Sequence, residues 1–283
     1  MSKLMKKYLT KVDIELLETH TRSLSQNMVK VTCMGLYNHG KSSLLNALIN
    51  DFEDKMFKVA DVRETAVNKS YEFENIIYVD TPGLNAKEHD DKRVMDAVKE
   101  SDINLFVHTV TTGEFAKKEI DFLDKVKKHW KNPQEFIDRT IFVVSRVDKA
   151  NDETDIINTV EKMAQQILEI FDSEAMIIPV SAIRYTKGKL EEKSLLVKKS
   201  NIERLKADIA KLSEEHAESI VETKRERLET YYDSLIAKFS AKIQGNKLEV
   251  SRKEYDLDEY QKSLKSDIAR TEDRLSDKYT SLE

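Results

Sequence analysis

The amino-acid sequence predicts an α/β fold with a mainly parallel sheet, extended by an α-helical neck or stalk. Short apolar runs alternate with helical patterns, at 29–34, 76–79, 104–108, 141–145 and 176–180, which is the rhythm of a parallel α/β sheet. A glycine-containing loop at 35–42 directly follows the first run. Charged residues make up 35% of the chain, with only six glycines and three prolines, a composition that favours long solvated helices.

Length and composition limit the class of protein. A chain of 283 residues can bury one substantial core and carry a smaller appendage. The net charge of −5 disfavours nucleic acid as a partner. Cys33 is the single cysteine and has no intramolecular disulfide partner, and no apolar stretch resembles a spanning helix or a signal peptide. We therefore expect a cytoplasmic protein, soluble or peripheral at a membrane.

The hydrophobic pattern predicts three segments. Residues 1–28 form an amphipathic helix of the neck, residues 29–213 form the α/β domain, and residues 214–283 form a helical hairpin that completes the neck or stalk. Gly245 and Asn246 separate the two apolar seams of the last segment, as expected of a turn between helices. The N-terminal helix has an apolar face made of Leu4, Tyr8, Leu9, Val12, Leu16 and Leu17.

A basic segment at 184–199 has no clear period, and we expect it to form a loop. Its basic side chains are Arg184, Lys187, Lys189, Lys193, Lys198 and Lys199. The next helix is predicted to begin at Ser200, because the Ser-x-x-Glu spacing to Glu203 is typical of a capping box.

Residues 35–42 read Gly-Leu-Tyr-Asn-His-Gly-Lys-Ser, the full G-x-x-x-x-G-K-S pattern of a P-loop between a strand and a helix. Backbone N–H groups of such a loop surround a phosphate at a helix N-terminus. Lys41 supplies a cation to the β- and γ-phosphates, and Ser42 offers a hydroxyl to Mg²⁺. The predicted phosphate-binding residues are Gly35, Asn38, His39, Gly40, Lys41, Ser42 and Ser43.

A second motif, Asp-Thr-Pro-Gly at 80–83, follows the strand pattern at 76–79. Asp80 is predicted to hold Mg²⁺ through water, and the N–H of Gly83 to reach the γ-phosphate. Between the two motifs, Thr65 is predicted to be the switch threonine that closes on Mg²⁺, with an ordinary solvated threonine as the alternative. The predicted magnesium ligands are Ser42, Thr65 and Asp80.

The nucleotide base is predicted to be guanine. The segment Ser-Arg-Val-Asp at 145–148 follows a strand pattern, so Asp148 can accept hydrogen bonds from guanine N1–H and the 2-amino group, while Arg146 covers the base face. A small pair at 181–182 is expected to contact guanine O6 through its backbone. The predicted base-binding residues are Ser145, Arg146, Asp148, Ser181 and Ala182. The motifs together predict a site for GTP or GDP.

The same residues carry a resemblance to known proteins. Residues 29 to about 212 resemble a translation-factor-class GTPase domain. Residues 38–48, Asn-His-Gly-Lys-Ser-Ser-Leu-Leu-Asn-Ala-Leu, are similar to the N-x-G-K-S-x-L-[LI]-N-x-L of the Era, TrmE and bacterial dynamin-like families. The helices predicted on both sides of the domain resemble a dynamin-like neck, which favours that type. The resemblance implies an enzyme that hydrolyses GTP to GDP and phosphate with Mg²⁺.

Two features depart from the family pattern. Ser145 and Arg146 replace the usual Asn- or Thr-Lys pair of the base motif, which leaves guanine affinity open, whereas Asp148 keeps the specificity. The predicted stalk also lacks an apolar tip for membrane insertion, because only Leu248 and Val250 lie near its turn.

Hydrolysis needs a group that replaces the water-orienting glutamine of Ras-like proteins, because Leu84 follows the Asp-Thr-Pro-Gly motif. The resemblance to the TrmE and dynamin group implies that Asn38 coordinates K⁺ beside the phosphates. It also implies that two GTPase domains dimerise across their nucleotide-binding faces. The alternative is that Asn38 only fits a tight turn. The predicted catalytic residues are Lys41, Thr65 and Asn38. Three loop residues, Glu88, His89 and Asp90, either position water or are solvated, and we interpret His108, His129 and Trp130 as structural.

Three functions remain open at this stage. The first is a dynamin-like GTPase that self-assembles as a homodimer or with a related GTPase, with a membrane surface as a further partner. The second is an Era-like GTPase associated with the ribosome or RNA, which would use the basic segment 184–199. The third is a weakly hydrolysing GTP-binding partner of a larger homologue.

Overall fold

The structure is a computed structural model that describes residues 9–58, 69–84, 88–130 and 132–280. It divides into two compact units, Met1–Arg225 and Glu226–Glu283. The expected segment boundaries at 28 and 213 remain predictions.

A six-stranded sheet forms the centre of the first unit, in the order β2-β3-β1-β4-β5-β6. All neighbouring strands are parallel except the edge pair β2 and β3. This confirms the predicted α/β fold with a mainly parallel sheet. The strands are β1 (Val29–Met34), β2 (Lys69–Phe73), β3 (Ile76–Asp80), β4 (Ile103–Thr109), β5 (Thr140–Ser145) and β6 (Met176–Pro179).

Helices alternate with these strands along the chain. Two short 3₁₀ helices, Val110–Thr112 and Val147–Lys149, follow β4 and β5. The α-helices of the described residues are α1 (Lys11–Ser25), α2 (Lys41–Leu48), α3 (Glu88–Lys99), α4 (Lys117–His129), α5 (Pro133–Asp138), α6 (Glu153–Phe171), α7 (Ala182–Leu190), α8 (Ser194–Lys199), α9 (Ile202–Glu215) and α10 (Ala217–Thr280).

Apolar side chains cover both faces of the sheet, because successive strand residues point to opposite sides. On β4, Leu105 and Val107 belong to a core shared with α2, α7 and α9. Phe106 belongs to the core on the other face, shared with α3, α4, α5 and α6. Each such buried side chain contributes about 1.5–3 kcal/mol relative to exposure, so the helices are held against the sheet mainly by this burial.

The parallel strands bring their carboxyl ends to one edge of the sheet. The P-loop follows β1, the Asp-Thr-Pro-Gly motif follows β3, and the predicted base motif follows β5. Open α/β sheets bind ligands outside the carboxyl ends of their strands. The fold therefore gathers motifs that are far apart in the sequence.

The start of α10 is attached to the opposite edge of the sheet. Lys224 is buried, its ammonium donates to the Met28 carbonyl, and it lies 3.3 Å from the Asp102 carboxylate. Asp102 also accepts a hydrogen bond of 2.9 Å from the N–H of Lys30. These contacts join the beginnings of β1 and β4 to the first two turns of α10.

Helix α1 lies within the segment predicted as the N-terminal helix. Thr10 and Asp13 form a capping box at its start, and Leu17 is buried. Residues 1–8 of the predicted helix at 1–28 lie outside the described residues.

The basic segment 184–199 is helical, so the predicted loop is wrong. It forms most of α7 and all of α8, which pack closely: a Cβ at Gly188 would lie 2.8 Å from Val197. Helices of nine and six residues are too short to show a clear hydrophobic period, and tertiary packing stabilises them.

The predicted capping box at Ser200 is also wrong. Helix α9 follows Asn201, whose φ of 56° is left-handed and which makes no side-chain cap. The Glu203 carboxylate accepts a hydrogen bond of 2.7 Å from the Tyr185 hydroxyl and lies 3.0 Å from the Lys189 ammonium. Glu203 thus pairs with side chains of α7 and does not take part in a capping box with Ser200.

The predicted helical hairpin at 214–283 is wrong, because α10 is one helix of 64 residues. Gly245 does not have a positive φ, and an isolated glycine destabilises a helix by only about 1 kcal/mol relative to alanine. The segment contains no proline, which would break the helix far more strongly. Exposed apolar residues lie every seventh position along it, at Ile236, Ile243, Val250, Leu257 and Leu264. No described helix is both long and apolar enough to cross a membrane.

A continuous α10 predicts that Gly245→Ala stabilises the protein slightly. No atom lies within 4 Å of the position of the added Cβ, and alanine is favoured over glycine in a helix by about 0.5–1 kcal/mol. Urea unfolding followed by circular dichroism measures this. Gly188→Ala is the matched control and should destabilise, since its Cβ would meet Val197. Lower stability and lost helicity in Gly245→Ala would contradict the continuous helix and favour the predicted hairpin.

Candidate functional site

The loop between β1 and α2 has a backbone that depends on glycine. Gly35 has a φ of +145°, and a Cβ there would lie 2.1 Å from the Val107 carbonyl oxygen of β4. Gly40 has a φ of +86° and precedes the first residue of α2, and Asn38 is also left-handed, with a φ of +62°. The predicted phosphate loop therefore ends at the amino terminus of a helix, where unpaired N–H groups favour an anion.

Lys41 is buried at the first position of α2, and its ammonium donates to the carbonyls of Gly35 and Leu36 at 3.1 and 3.0 Å. Burial lowers the pKa of Lys41, and nearby Asp80 opposes this shift. A buried cation whose hydrogen bonds among the described residues go to neutral carbonyls gains strongly from an added anion. Lys41 is thus prepared for a phosphate group.

Ser42 and Asp80 meet beside this lysine. The Ser42 hydroxyl donates to Asp80 Oδ2 at 2.7 Å, while the buried Asp80 Oδ1 has no hydrogen-bond partner among the described residues. Burial raises the pKa of Asp80, and the hydrogen bond from Ser42 and the charge of Lys41 act against it. A hydroxyl and an unsatisfied carboxylate oxygen fit Mg²⁺, which prefers oxygen ligands.

The Asp-Thr-Pro-Gly motif is tied to the P-loop. The Thr81 hydroxyl donates to the Cys33 carbonyl at 2.8 Å, and the N–H of Leu84 donates to the Gly35 carbonyl at 3.1 Å. A Cβ at Gly83 would lie 2.7 Å from the Tyr37 backbone, so only glycine fits there. The structure thus brings Asp80 and Gly83 to the loop, as predicted from the sequence.

Several predicted residues cannot be placed. Thr65 lies outside the described residues. Helix α3 begins at Glu88, but the side chains of Glu88, His89 and Asp90 also lie outside the described part.

The predicted base-binding residues come together beyond β5 and β6. The Ser181 hydroxyl donates to Asp148 Oδ1 at 2.5 Å and accepts from the N–H of Arg184, which caps α7. Asp148 lies in the 3₁₀ helix that follows Arg146, which is left-handed with a φ of 57°. Ala182 is the first residue of α7. The Asp148 carboxylate is therefore held by the Ser181 hydroxyl, and Ser181 is in turn held by its hydrogen bond to the first turn of α7.

Ser145 connects the base-binding residues to the phosphate loop. Its buried hydroxyl donates to the His39 carbonyl at 2.6 Å. A Cβ at Gly40 would lie 3.5 Å from Ser145 Oγ and 3.7 Å from Arg146 Nε, so the two loops are in close contact. Ser145, which departs from the family pattern, thus provides a hydrogen bond between the base-binding residues and the P-loop.

A buried polar cluster behind the P-loop was not predicted. His108 Nδ1 lies 3.0 and 3.1 Å from the two Glu119 oxygens, and His39 Nδ1 lies 3.4 Å from Glu119 Oε1. Burial alone would raise the pKa of Glu119, but the neighbouring imidazoles of His108 and His39 outweigh burial and lower the pKa to about 2. One signal was present, since Glu119 shares the buried face of α4 with Phe122, Leu123 and Val126.

Comparison with known proteins agrees with this geometry. Residues 30–146 match the model of a family described as 50S ribosome-binding GTPase. This segment contains the P-loop, the Asp-Thr-Pro-Gly motif and the buried cluster, and it ends within the base motif.

Three curated relatives illustrate the similarity in sequence. An uncharacterised protein of Acinetobacter baylyi is 35% identical over 175 residues, which cover 61% of this chain and 39% of that protein. GTPase Era of Clostridium kluyveri is 32% identical, covering 54% and 50%. GTPase Der of Microcystis aeruginosa is 28% identical, covering 55% and 34%. The chain thus spans half or less of the length of these relatives.

Two solved bacterial dynamin structures share the fold. LeoA, a bacterial dynamin GTPase from ETEC, has a TM-score of 0.53 at 16% identity, covering 80% of this chain and 43% of LeoA. A chain of an oligomerised bacterial dynamin pair has a TM-score of 0.53 at 17% identity, covering 99% and 62%. The fold is therefore that of an α/β P-loop GTPase with a mostly parallel six-stranded sheet and a long C-terminal helix.

The unsatisfied carboxylate predicts opposite effects of Asp80→Asn on stability and on metal response. Without ligand, the melting temperature should stay equal or rise, because a buried carboxylate with a raised pKa becomes a neutral amide. With GDP, the further rise on adding Mg²⁺ should disappear. Thermal unfolding measures both, and exposed Asp121→Asn is the matched control. A Mg²⁺ response that survives in Asp80→Asn would contradict the metal assignment.

Proposed function

We propose that this chain binds GTP with Mg²⁺ and hydrolyses it to GDP and phosphate. The observation that carries the proposal is the contact between Ser42 and Asp80, 2.7 Å long, beside the buried ammonium of Lys41 at the start of α2. The match of residues 30–146 to a GTPase family model supports it.

The phosphate-binding step exchanges one set of contacts for another. Lys41 donates to the carbonyls of Gly35 and Leu36. A triphosphate replaces these neutral partners with anionic oxygens, which form shorter and stronger charge-assisted hydrogen bonds. Bound Mg²⁺ neutralises charge that develops on the phosphate oxygens during hydrolysis. Ser42 and Asp80 would hold this ion.

Base selection depends on Asp148. Its carboxylate accepts one hydrogen bond from Ser181 and retains capacity for the two donors on the Watson–Crick edge of guanine, which adenine lacks. Arg146, half-buried beside Gly40, would lie against the base. The backbone at Ser181 and Ala182 would approach guanine O6.

Replacing Asp148 by Asn should change the preferred base. The Asn amide can donate to the 2-oxo group of xanthine, and it loses one acceptor for guanine. Leaving donors of a bound base unpaired costs about 1–3 kcal/mol, so GTP affinity should fall about 5- to 150-fold while xanthosine triphosphate affinity rises. Calorimetry with GTP, ATP and xanthosine triphosphate measures this, with Asp121→Asn as the control. Equal affinity of the unmodified chain for ATP and GTP would contradict guanine selection.

We further propose that hydrolysis is coupled to self-association, as in a dynamin-like GTPase. Asn38 is exposed at the outer side of the P-loop, where its amide oxygen would coordinate K⁺ when two nucleotide faces pair. Thr65 would close on Mg²⁺ from the switch segment. The exposed heptad-spaced residues of α10 are suited to a coiled coil or neck, and a membrane surface is the further partner in this proposal.

An Era-like role with the ribosome or RNA is the second candidate, because the matching family model is described as ribosome-binding. The basic segment 184–199 gives it little support. Lys189 pairs with Glu203, and Lys187 and Lys193 pair with Glu191. These carboxylates reduce the positive charge available to phosphates.

A weakly hydrolysing partner subunit is the third candidate, and its turnover would stay low in every condition.

The dependence of GTPase rate on protein concentration and salt tests the coupling. In KCl the rate per molecule should rise with concentration, and in NaCl it should stay low. Asn38→Gly should lose the KCl effect, because it keeps the left-handed backbone but removes the amide. Asn38→Asp, which retains an oxygen ligand, should keep part of it. A rate that rises only with ribosomal RNA, or only with anionic vesicles, would select the Era-like role or the membrane partner.

A further inference from the structure

The cluster behind the P-loop contains three buried side chains from three elements. His39 belongs to the P-loop, His108 to β4 and Glu119 to α4, and one ligand atom of each lies within 4.8 Å of the others. Glu119 is 0% exposed and His108 is 0% exposed, whereas His39 is 6% exposed. His39 is also one of the predicted phosphate-binding residues, but none of the steps proposed for nucleotide binding uses the three side chains of this cluster.

Both ring nitrogens of His108 have a polar partner, so the position of its proton depends on the hydroxyl of Thr112. The Thr112 hydroxyl donates to the Thr109 carbonyl at 3.0 Å and also lies 3.0 Å from His108 Nε2. Because the hydroxyl has one proton, the arrangement in which Thr112 donates to the Thr109 carbonyl makes His108 Nε2 the donor to Thr112. A neutral His108 in that arrangement directs the lone pair of Nδ1 at the Glu119 carboxylate, a contact that is favourable when a cation lies between the two atoms.

His39 adds a second nitrogen that faces the same place. Its buried Nδ1 has no hydrogen-bond partner among the described residues, although it lies 3.4 Å from Glu119 Oε1. Unpaired buried polar atoms are uncommon and call for a partner. Glu119 Oε2 is oriented by a 3.0 Å hydrogen bond from the N–H of Ala116.

The two nitrogen–oxygen separations are close to those of a small tetrahedral ion. Zinc bonds to His nitrogen and carboxylate oxygen are about 2.0–2.2 Å long, so two ligands of a tetrahedral ion lie about 3.3–3.5 Å apart. The two nitrogen–oxygen separations here are 3.0 and 3.4 Å, and all three ligand atoms lie within 4.8 Å of one another, so small movements of the side chains complete the site. Two imidazoles and one carboxylate suit Zn²⁺ rather than Mg²⁺, which prefers oxygen ligands.

We propose that His39 Nδ1, His108 Nδ1 and Glu119 Oε1 form a zinc site that joins the P-loop to β4 and α4. Zn²⁺ takes the place of the cation between His108 and Glu119, and a water completes its four ligands. Thr112 orients His108 and Ala116 orients Glu119, as outer partners of metal ligands commonly do. Thr112, which contacts His108 Nε2, is exposed and lines a cleft of about 470 Å³ with Lys149 and Asn151.

Metal binding is measured on the untagged full chain after chelator treatment, without nucleotide. Calorimetric titration with Zn²⁺ should give one equivalent per chain, and Co²⁺ should give the visible absorption of a four-coordinate ion. Mg²⁺ in excess should not compete, which separates this site from Ser42 and Asp80. The result does not depend on whether the chain binds GTP, so this proposal and the proposed function fail separately.

Variants locate the ion. His108→Gln and Glu119→Gln should each weaken Zn²⁺ binding at least tenfold, whereas His129→Gln, which changes an exposed histidine of α4, should leave it unchanged. Circular dichroism verifies that each variant is folded, and if one is not, the Co²⁺ spectrum of the unmodified chain decides. The absence of that spectrum, or zinc binding that survives both substitutions, would overturn the proposal and leave His108 as a protonated partner of Glu119.

Discussion

The burial of the Lys41 ammonium is the constraint on which the rest of the site depends. A buried cation must be surrounded by oxygen atoms, and the loop provides them by directing the Gly35 and Leu36 carbonyls inward. That path requires a positive φ at Gly35, which a side chain would prevent because Val107 is too close. The position of β4 beside β1 therefore requires glycine at the first position of the P-loop.

The residues around Lys41 are also connected to one another. The Asp80 carboxylate is close enough for its charge to raise the pKa of Lys41, and Ser145 connects the loop to the proposed base-binding residues through the His39 carbonyl. The residues proposed to bind phosphate and those proposed to bind the base are thus joined by a direct hydrogen bond. A change in the loop backbone would be transmitted to both.

The sequence predicted the parts of the site that depend on contiguous residues. The P-loop and the Asp-Thr-Pro-Gly motif are local patterns with fixed backbone geometry, and the α/β rhythm placed them at strand ends. Glu119 was missed because its partners, His39 and His108, are distant in sequence and are brought together only by the sheet order. The helical hairpin failed because Gly245 is a weak turn signal, and the loop at 184–199 failed because packing against neighbouring helices, absent from local periodicity, stabilises two short helices.

The ion pair between Lys224 and Asp102 has a practical consequence for anyone who isolates the α/β unit. A boundary at residue 213, where the hydrophobic pattern changes, would remove Lys224 and leave Asp102 and the Met28 carbonyl without their ammonium partner. Breaking one side of a buried pair typically destabilises a protein by about 3–5 kcal/mol, a large part of the stability of a small domain. An expression fragment that ends shortly after Arg225 keeps the pair and should be recovered folded, even though it includes a stub of the long helix.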